Sequence, residues 1–175
     1  MNTVCKITGT LLVLLASGYY AVCSAKMMEA RNNQLRKLYG VLLQLKSEIL
    51  YMSSPLPECF RKMAYHAGVP FQEWLNTLAN RLETMEETGF VNIWKEEMDV
   101  LYQSGALEKS DLEPLYELSD RLGSIDVEVQ VKSIDYALMQ LERKHIILQN
   151  ELGQKKKVII TLSMFGGFMA LILLL

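Results

Sequence analysis

The apolar residues of this chain are concentrated at its two ends. No charged residue lies in the stretches 7–25 and 158–175. A helix of 18 residues is about 27 Å long, close to the roughly 30 Å hydrocarbon core of a bilayer. A small domain cannot surround two helices that are apolar on every side. The pattern therefore predicts an N-terminal transmembrane helix within residues 1–25 and a C-terminal transmembrane helix at 158–175.

The first apolar stretch is also compatible with a cleaved signal peptide. Lys6 would supply its short basic region, and Cys23, Ser24 and Ala25 resemble a small-residue cleavage site. The protein would then be a secreted or surface-anchored helical protein held by its C-terminal segment alone. The residues leave this alternative open.

The central region, residues 26–157, has helical spacing almost throughout and predicts an all-α bundle of about six helices. Leu35, Leu38, Leu42 and Leu45 recur at steps of three and four, which predicts a first helix continuous with the first span. Proline and glycine divide the residues that follow. The remaining helices are expected from the "SSPLPE" segment to about Ala67, from Pro70 to Gly89, from about Val91 to Tyr102, from Ser110 to Gly123, and from about Asp126 through Lys157.

Three local signals concern the ends of these helices. Ser53 or Ser54 is expected to cap the second helix, and Ser110 with Glu113 has the spacing of a capping box at the fifth. The segment 126–131 alternates like a strand, but the chain offers no second strand of comparable quality with which it could pair. We therefore expect this segment to begin the last helix.

The large apolar side chains of the central region are expected to form its core, not a ligand site. On the third helix this assigns Trp74 to the inner face, and on the fourth Trp94, Met98, Leu101 and Tyr102. Ala67 is expected to face inward from the second helix.

The orientation of the chain follows from its cations. Lys26 follows the first span, and Lys155, Lys156 and Lys157 precede the second. Basic residues that flank a span tend to stay on the cytoplasmic side. The central region is therefore predicted to be cytoplasmic, with the lysines at lipid headgroups.

Negative charge is concentrated within the central region. Residues 82–135 contain 14 acidic and four basic residues, a net charge of −10. This surface is either a solvated one that is kept away from an anionic membrane, or a docking surface for a basic partner. Its negative charge disfavours binding of nucleic acid. The candidate docking residues are Glu96, Glu97, Asp99, Glu113, Glu117 and Asp120.

Catalytic and cofactor motifs are missing from the sequence. It contains no phosphate-binding loop, dinucleotide fingerprint, nucleophile elbow or zinc-protease motif. Glu142 and His145 have the spacing used by carboxylate-bridged di-iron bundles, but no second such pair is present. We therefore expect a protein that is not an enzyme and has no cofactor, with a carboxylate-bridged metal enzyme as the remaining alternative.

Several segments, taken in order, resemble the stage III sporulation protein AB family of endospore-forming bacteria. They are "LRKLYGVLLQLKSEILY", "SPLPECFRKMA", "LEKSDLEPLYELSDRLGSIDVEVQ" and the lysine-flanked apolar tail with its paired glycines. The resemblance covers essentially the whole chain, although no single motif is specific. Cys59 departs from it, since a small residue is expected there.

The resemblance implies a bundle similar to the cytoplasmic domain of type II secretion and type IV pilus inner-membrane platform proteins. It also implies a place in the mother-cell (outer forespore) membrane, in the channel complex between mother cell and forespore that endospore formation requires. The implied partners are the ATPase encoded in the same operon and other channel subunits, with homo-oligomers possible. The function expected is that of a non-enzymatic membrane scaffold that docks this ATPase.

Overall fold

The computed structural model contains six helices and no strand among the residues it describes, which confirms the all-α prediction. It describes residues 2–51, 54–84, 89–124 and 126–174, with side chains from residue 18 onward except at 21, 156, 159–160 and 162–174. The helices are α1 (Asn2–Tyr51), α2 (Leu56–Ala67), α3 (Phe71–Glu83), α4 (Phe90–Ser104), α5 (Lys109–Leu122) and α6 (Val127–Leu174).

The chain forms two compact units. One is Arg31–Ile146, and the other combines Met1–Ala30 with Ile147–Leu175. The unit Arg31–Ile146 is the helical bundle. The predicted division at residues 25 and 157 stays a prediction.

The two terminal spans are not confirmed. Within the described part of the chain, no helix contains a stretch both long enough and apolar enough to cross a membrane. Most of the two predicted spans, 7–25 and 158–175, falls on residues whose side chains lie outside the description. The spans therefore stay predictions.

The predicted leucine stripe of α1 is buried. Leu35, Leu38, Leu42 and Leu45 are each at most 1% exposed. Steps of three and four place these side chains on one face of a helix, and burying each of them contributes about 1.5–3 kcal/mol. On α6 the corresponding buried positions are Ile134, Ala137, Leu138 and Leu141.

Trp94 is the centre of the aromatic core. Its ring lies 6.0 Å from that of Phe60, 5.5 Å from that of Trp74 and 5.7 Å from that of Phe90, measured between centroids. Its indole Nε1 donates a hydrogen bond of 2.8 Å to the carbonyl oxygen of Leu115. One side chain of α4 therefore joins α2 and α3 and fixes the position of α5, as a buried tryptophan with a satisfied N–H can.

Some sequence predictions about the edges of the core were wrong. Tyr102 is 42% exposed. The inner face of α4 is centred on Trp94, Met98 and Leu101, and Tyr102 lies at the margin of that face, where its phenol can reach water. Ala67, at the last turn of α2, is only half-buried.

The boundary between α3 and α4 also differs from the prediction. Gly89 does not end α3 but precedes the first residue of α4 as its N-cap, with φ −48°. α3 ends earlier, at Glu83, and residues 85–88 lie outside the description.

The start of α2 lacks the predicted serine cap. Pro55 is its N-cap residue and no side chain caps the helix, so the prediction for Ser54 was wrong. Ser53 lies outside the described residues. A proline near the first turn needs no cap partner for its own nitrogen, since it has no N–H. The carbonyl of Ser54 instead accepts a hydrogen bond from the Cys59 thiol, at 3.4 Å.

The strand-like segment is helical, as predicted. α6 begins at Val127, and Asp126 Oδ1 accepts a hydrogen bond of 2.8 Å from the backbone N–H of Glu128. This side chain satisfies one of the free N–H groups of the first turn. The alternating valines do not form a strand, because the described residues offer no second strand with which they could pair.

Candidate docking surface

A buried ion pair between α1 and α5 positions the acidic helix. Arg31 Nε lies 2.7 Å from Asp111 Oδ2, and Arg31 Nη2 lies 2.8 Å from Asp111 Oδ1. Asp111 is fully buried, and the guanidinium also pairs with Glu108. The hydrogen bond to Asp111 is the main cause of a raised pKa at Arg31. Nearby, the backbone N–H of Ala106 donates to Gln34 Oε1 at 2.7 Å, which ties the α4–α5 loop to α1.

The capping box of α5 lies two residues before the predicted one. Asp111 Oδ2 accepts a hydrogen bond of 2.9 Å from the backbone N–H of Glu108, the N-cap residue. The predicted pair, Ser110 and Glu113, does not form it, because α5 already begins at Lys109. Asp111 thus has two functions, since one carboxylate both caps α5 and binds Arg31.

Two of the six predicted docking residues pair with α3. Arg81 lies 2.6 Å from a carboxylate oxygen of Glu96 and 2.9 Å from one of Glu97. Both hydrogen bonds raise the pKa of Arg81. Glu97 is only 5% exposed, so its carboxylate serves to hold α3 against α4 and is not accessible to an outside partner. Glu96 remains exposed.

Two others lie along the α4–α5 contact. Asp99 accepts a hydrogen bond from the Tyr116 hydroxyl, and the pKa of Tyr116 is raised, first by burial and then by this bond. Asp120 lies 3.6 Å from Lys95, with both side chains well exposed. A pair this open contributes little to stability, so Asp120 remains available to a partner.

Glu113, Glu117 and Asp120 form one exposed row on α5, called here the α5 acidic row. They are four and three residues apart, which places them on one face of the helix. Glu113 and Glu117 have no ion-pair partner among the described residues. Like charges four residues apart destabilise a helix by about 0.2–0.5 kcal/mol, so this row opposes the folding of α5 slightly.

The predicted membrane-flanking lysines belong to the other unit. Lys26, Lys155 and Lys157 are exposed, whereas the side chain of Lys156 lies outside the description. Lys155 Nζ lies 3.0 Å from Met28 Sδ, so α1 and α6 are neighbours at this level of that unit. In the described part of the chain, no carboxylate neutralises Lys26, Lys155 or Lys157.

The described residues contain no group of three or more His, Cys, Asp or Glu side chains that could hold a metal ion. His145 Nδ1 is buried and has no hydrogen-bond partner among the described residues, and Glu142 is exposed. Cys59 is fully buried, and burial raises the pKa of its thiol, which keeps it protonated and unreactive.

The residues that sequence reasoning missed are those that orient the surface. Arg31 and Asp111 are 80 positions apart, and neither lies in a motif that indicates the other. Only the preference for an acidic side chain in the first turn of a helix pointed to Asp111.

Comparison with known proteins agrees with this fold. A family model described as stage III sporulation protein AB matches residues 6–175. Stage III sporulation protein AB of Bacillus subtilis (strain 168) is 24% identical over 170 residues, covering 97% of this chain and 99% of the relative. A solved structure of stage III sporulation protein AB, also 24% identical, has a TM-score of 0.65 and covers 71% of this chain and 97% of its own, which shows a shared fold. Because the family model matches almost the whole chain, this protein belongs to the stage III sporulation protein AB family, and this supports a role in sporulation.

Proposed function

We propose that this protein is a non-enzymatic scaffold subunit of the channel complex between mother cell and forespore. Its two terminal helices would hold it in the mother-cell (outer forespore) membrane. Its bundle would lie in the mother-cell cytoplasm and dock the ATPase encoded in the same operon. Family membership supports the role in sporulation.

The observation that carries the docking role is the α5 acidic row on an immobilised helix. α5 is held to α1 by the buried pair of Arg31 and Asp111, and to α4 by the indole of Trp94. Because the backbone of α5 is held in place, a row of exposed carboxylates on it is a suitable contact for a basic partner surface, and only the side chains have to be ordered on binding.

The membrane role is supported by the sequence and by the exposed lysines. Lys26, Lys155 and Lys157 are unpaired by carboxylates in the described part of the chain and adjoin the two uncharged stretches. Cations in such positions bind anionic headgroups on the cytoplasmic side and fix topology.

Docking is tested with the purified full chain in detergent and the ATPase of the operon. The double reversal Glu113→Lys/Glu117→Lys should weaken binding at least tenfold. The control Glu73→Lys/Glu142→Lys makes the same change of net charge at exposed positions on α3 and α6. Equal binding by both variants would remove the acidic row from the proposal but leave docking intact. An ATPase that does not bind the wild-type chain would end the docking proposal.

Topology is tested by protease treatment of intact cells and of opened cells. A cytoplasmic bundle is digested only after the cells are opened. Digestion in intact cells, with loss of residues 1–25 from the mature protein, would instead establish the secreted or surface-anchored alternative.

A further inference from the structure

An open groove of about 720 Å³ lies between α5 and α6 within the bundle. Pro114 and Leu118 of α5 are buried at its base, Val129 of α6 is half-buried, and Tyr136 is 49% exposed at its edge. The volume lies within the roughly 300–1,000 Å³ of ordinary ligand pockets. The groove therefore presents an apolar floor that no described residue covers.

Both walls of the groove are fixed in place. Gln130 Nε2 donates to the carbonyl oxygens of Leu122, at 2.7 Å, and Ser124, at 2.6 Å, which ties the first turn of α6 to the end of α5. Further along α6, Asp135 pairs with Lys46 of α1 at 2.6 Å. The groove thus exists before any partner binds, which lowers the entropic cost of binding.

Unpaired charges stand at the rim. Lys132 pairs with Glu128 at 2.6 Å within α6. Glu117 and Arg121, in contrast, have the spacing of a helical ion pair, yet the described residues provide neither with a partner. A ligand can therefore meet an available carboxylate and an available guanidinium a single turn apart.

The dimensions of the groove indicate what fits it. Its lining extends over residues 114–121 of α5 and 129–136 of α6. Each stretch covers seven residue steps, about 10 Å, or two turns of helix. A helix laid in such a groove presents side chains at steps of three and four, enough for two or three apolar anchors.

We propose that this groove binds a basic amphipathic helix of a partner protein. Apolar side chains of that helix lie on the floor beside Tyr136, a cation meets Glu117, and a carboxylate or the last carbonyls of the helix meet Arg121. The net charge of −10 over residues 82–135 attracts a basic segment and repels nucleic acid and anionic lipid. This inference rests on the docking role proposed above and specifies where and how the partner binds.

The first test uses the full chain in detergent and the ATPase proposed above as the binding partner. Tyr136→Ala, which removes an exposed edge of the groove, should weaken binding at least tenfold. Tyr65→Ala is the matched control, because Tyr65 is 84% exposed on α2, outside the groove, and this variant should bind within twofold of wild type. Glu117→Lys should weaken binding and make it less sensitive to salt. Unchanged melting temperatures establish that the variants are folded.

The results separate the two proposals. If the ATPase binds wild type and Tyr136→Ala equally well, the groove is not the site, although docking stands. If the wild-type chain does not bind the ATPase, the docking proposal fails. A second experiment then tests whether the groove binds a basic helix of another protein. A photo-crosslinking amino acid replaces Tyr136 in sporulating cells, and the cross-linked peptide is sequenced. A basic amphipathic helix supports the inference, whereas an acidic or non-helical peptide, a second copy of this chain, or no cross-link overturns it.

Discussion

The pair between Arg31 and Asp111 should be among the most stabilising polar contacts of the bundle. Replacing Arg31 with Met removes the guanidinium but keeps much of the apolar stem. The carboxylate of Asp111 then stays fully buried, and the backbone N–H of Glu108 is its remaining donor among the described residues. The expected result is a loss of about 3 kcal/mol in the free energy of unfolding.

This magnitude follows from the geometry. Removing one partner of a buried pair costs about 3–5 kcal/mol, because an uncompensated charge remains. The lower end applies here, since the side chain of Arg31 is 21% exposed and water screens part of the effect. Asp111→Asn keeps the volume of the side chain but turns an amide N–H₂ toward a guanidinium, so it should also destabilise.

The pH dependence of this loss has a definite sign. The pKa of Arg31 is raised by Asp111, so its contribution is complete below the unfolded-state pKa and is lost only as the pH rises through the folded-state value. Both values lie far above neutral pH. The ionisation of Arg31 should therefore leave the destabilisation constant between about pH 6 and 9.

The assay is urea unfolding of the full chain in detergent, followed by the fluorescence of the buried Trp74 and Trp94. Lys132→Met is the control, since it removes an ion pair whose side chains are 74% exposed and should cost less than about 0.5 kcal/mol. If Arg31→Met costs no more than this control, the reasoning about the buried pair is wrong.

Three further predictions concern the core and the backbone. Trp94→Phe should lower the free energy of unfolding by about 1–3 kcal/mol, because it leaves a small cavity and removes the indole hydrogen bond, and the variant can be measured in the same urea assay. In the native protein a maleimide should not modify Cys59, because this thiol is fully buried and burial raises its pKa, whereas it should react after unfolding, and peptide mass mapping before and after urea checks this. Gly68→Ala should destabilise the protein by about 1–3 kcal/mol, because φ at this residue is +67°. Gly40→Ala lies inside α1 with open space around it and should stabilise the protein by about 0.5–1 kcal/mol. Thermal melts that ranked the two variants the other way would contradict this.

Local sequence was sufficient for the helices and for most of the core. The stripe from Leu35 to Leu45 and the positions of Trp74 and Trp94 follow from helical periodicity, which depends only on residues three and four apart. The strand-like segment 126–131 was predicted as a helix start for a different reason, since the sequence offers no second strand with which it could pair. Periodicity predicted burial least well at the margins of a buried helix face, where neighbouring positions can be either in the core or in water, as at Tyr102.

Helix starts were harder to predict because they depend on neighbours outside the helix. Two pairs with the same spacing, Glu108 with Asp111 and Ser110 with Glu113, lie at the start of α5, and either could form a capping box. The pair of Glu108 and Asp111 does so because Arg31, from another helix, binds the same carboxylate. That contact joins residues 80 positions apart, and no local pattern contains it.

The sequence by itself determined that this protein is an all-α bundle with an acidic centre, because periodicity and charge are properties of the residue order. Only the tertiary structure decided which carboxylates face outward. Glu97 is buried against Arg81, whereas Glu113 and Glu117 remain exposed and unpaired among the described residues. The physical reason is that the sign of a charge is encoded at one position, but its burial and pairing depend on helices that meet only after the chain has folded.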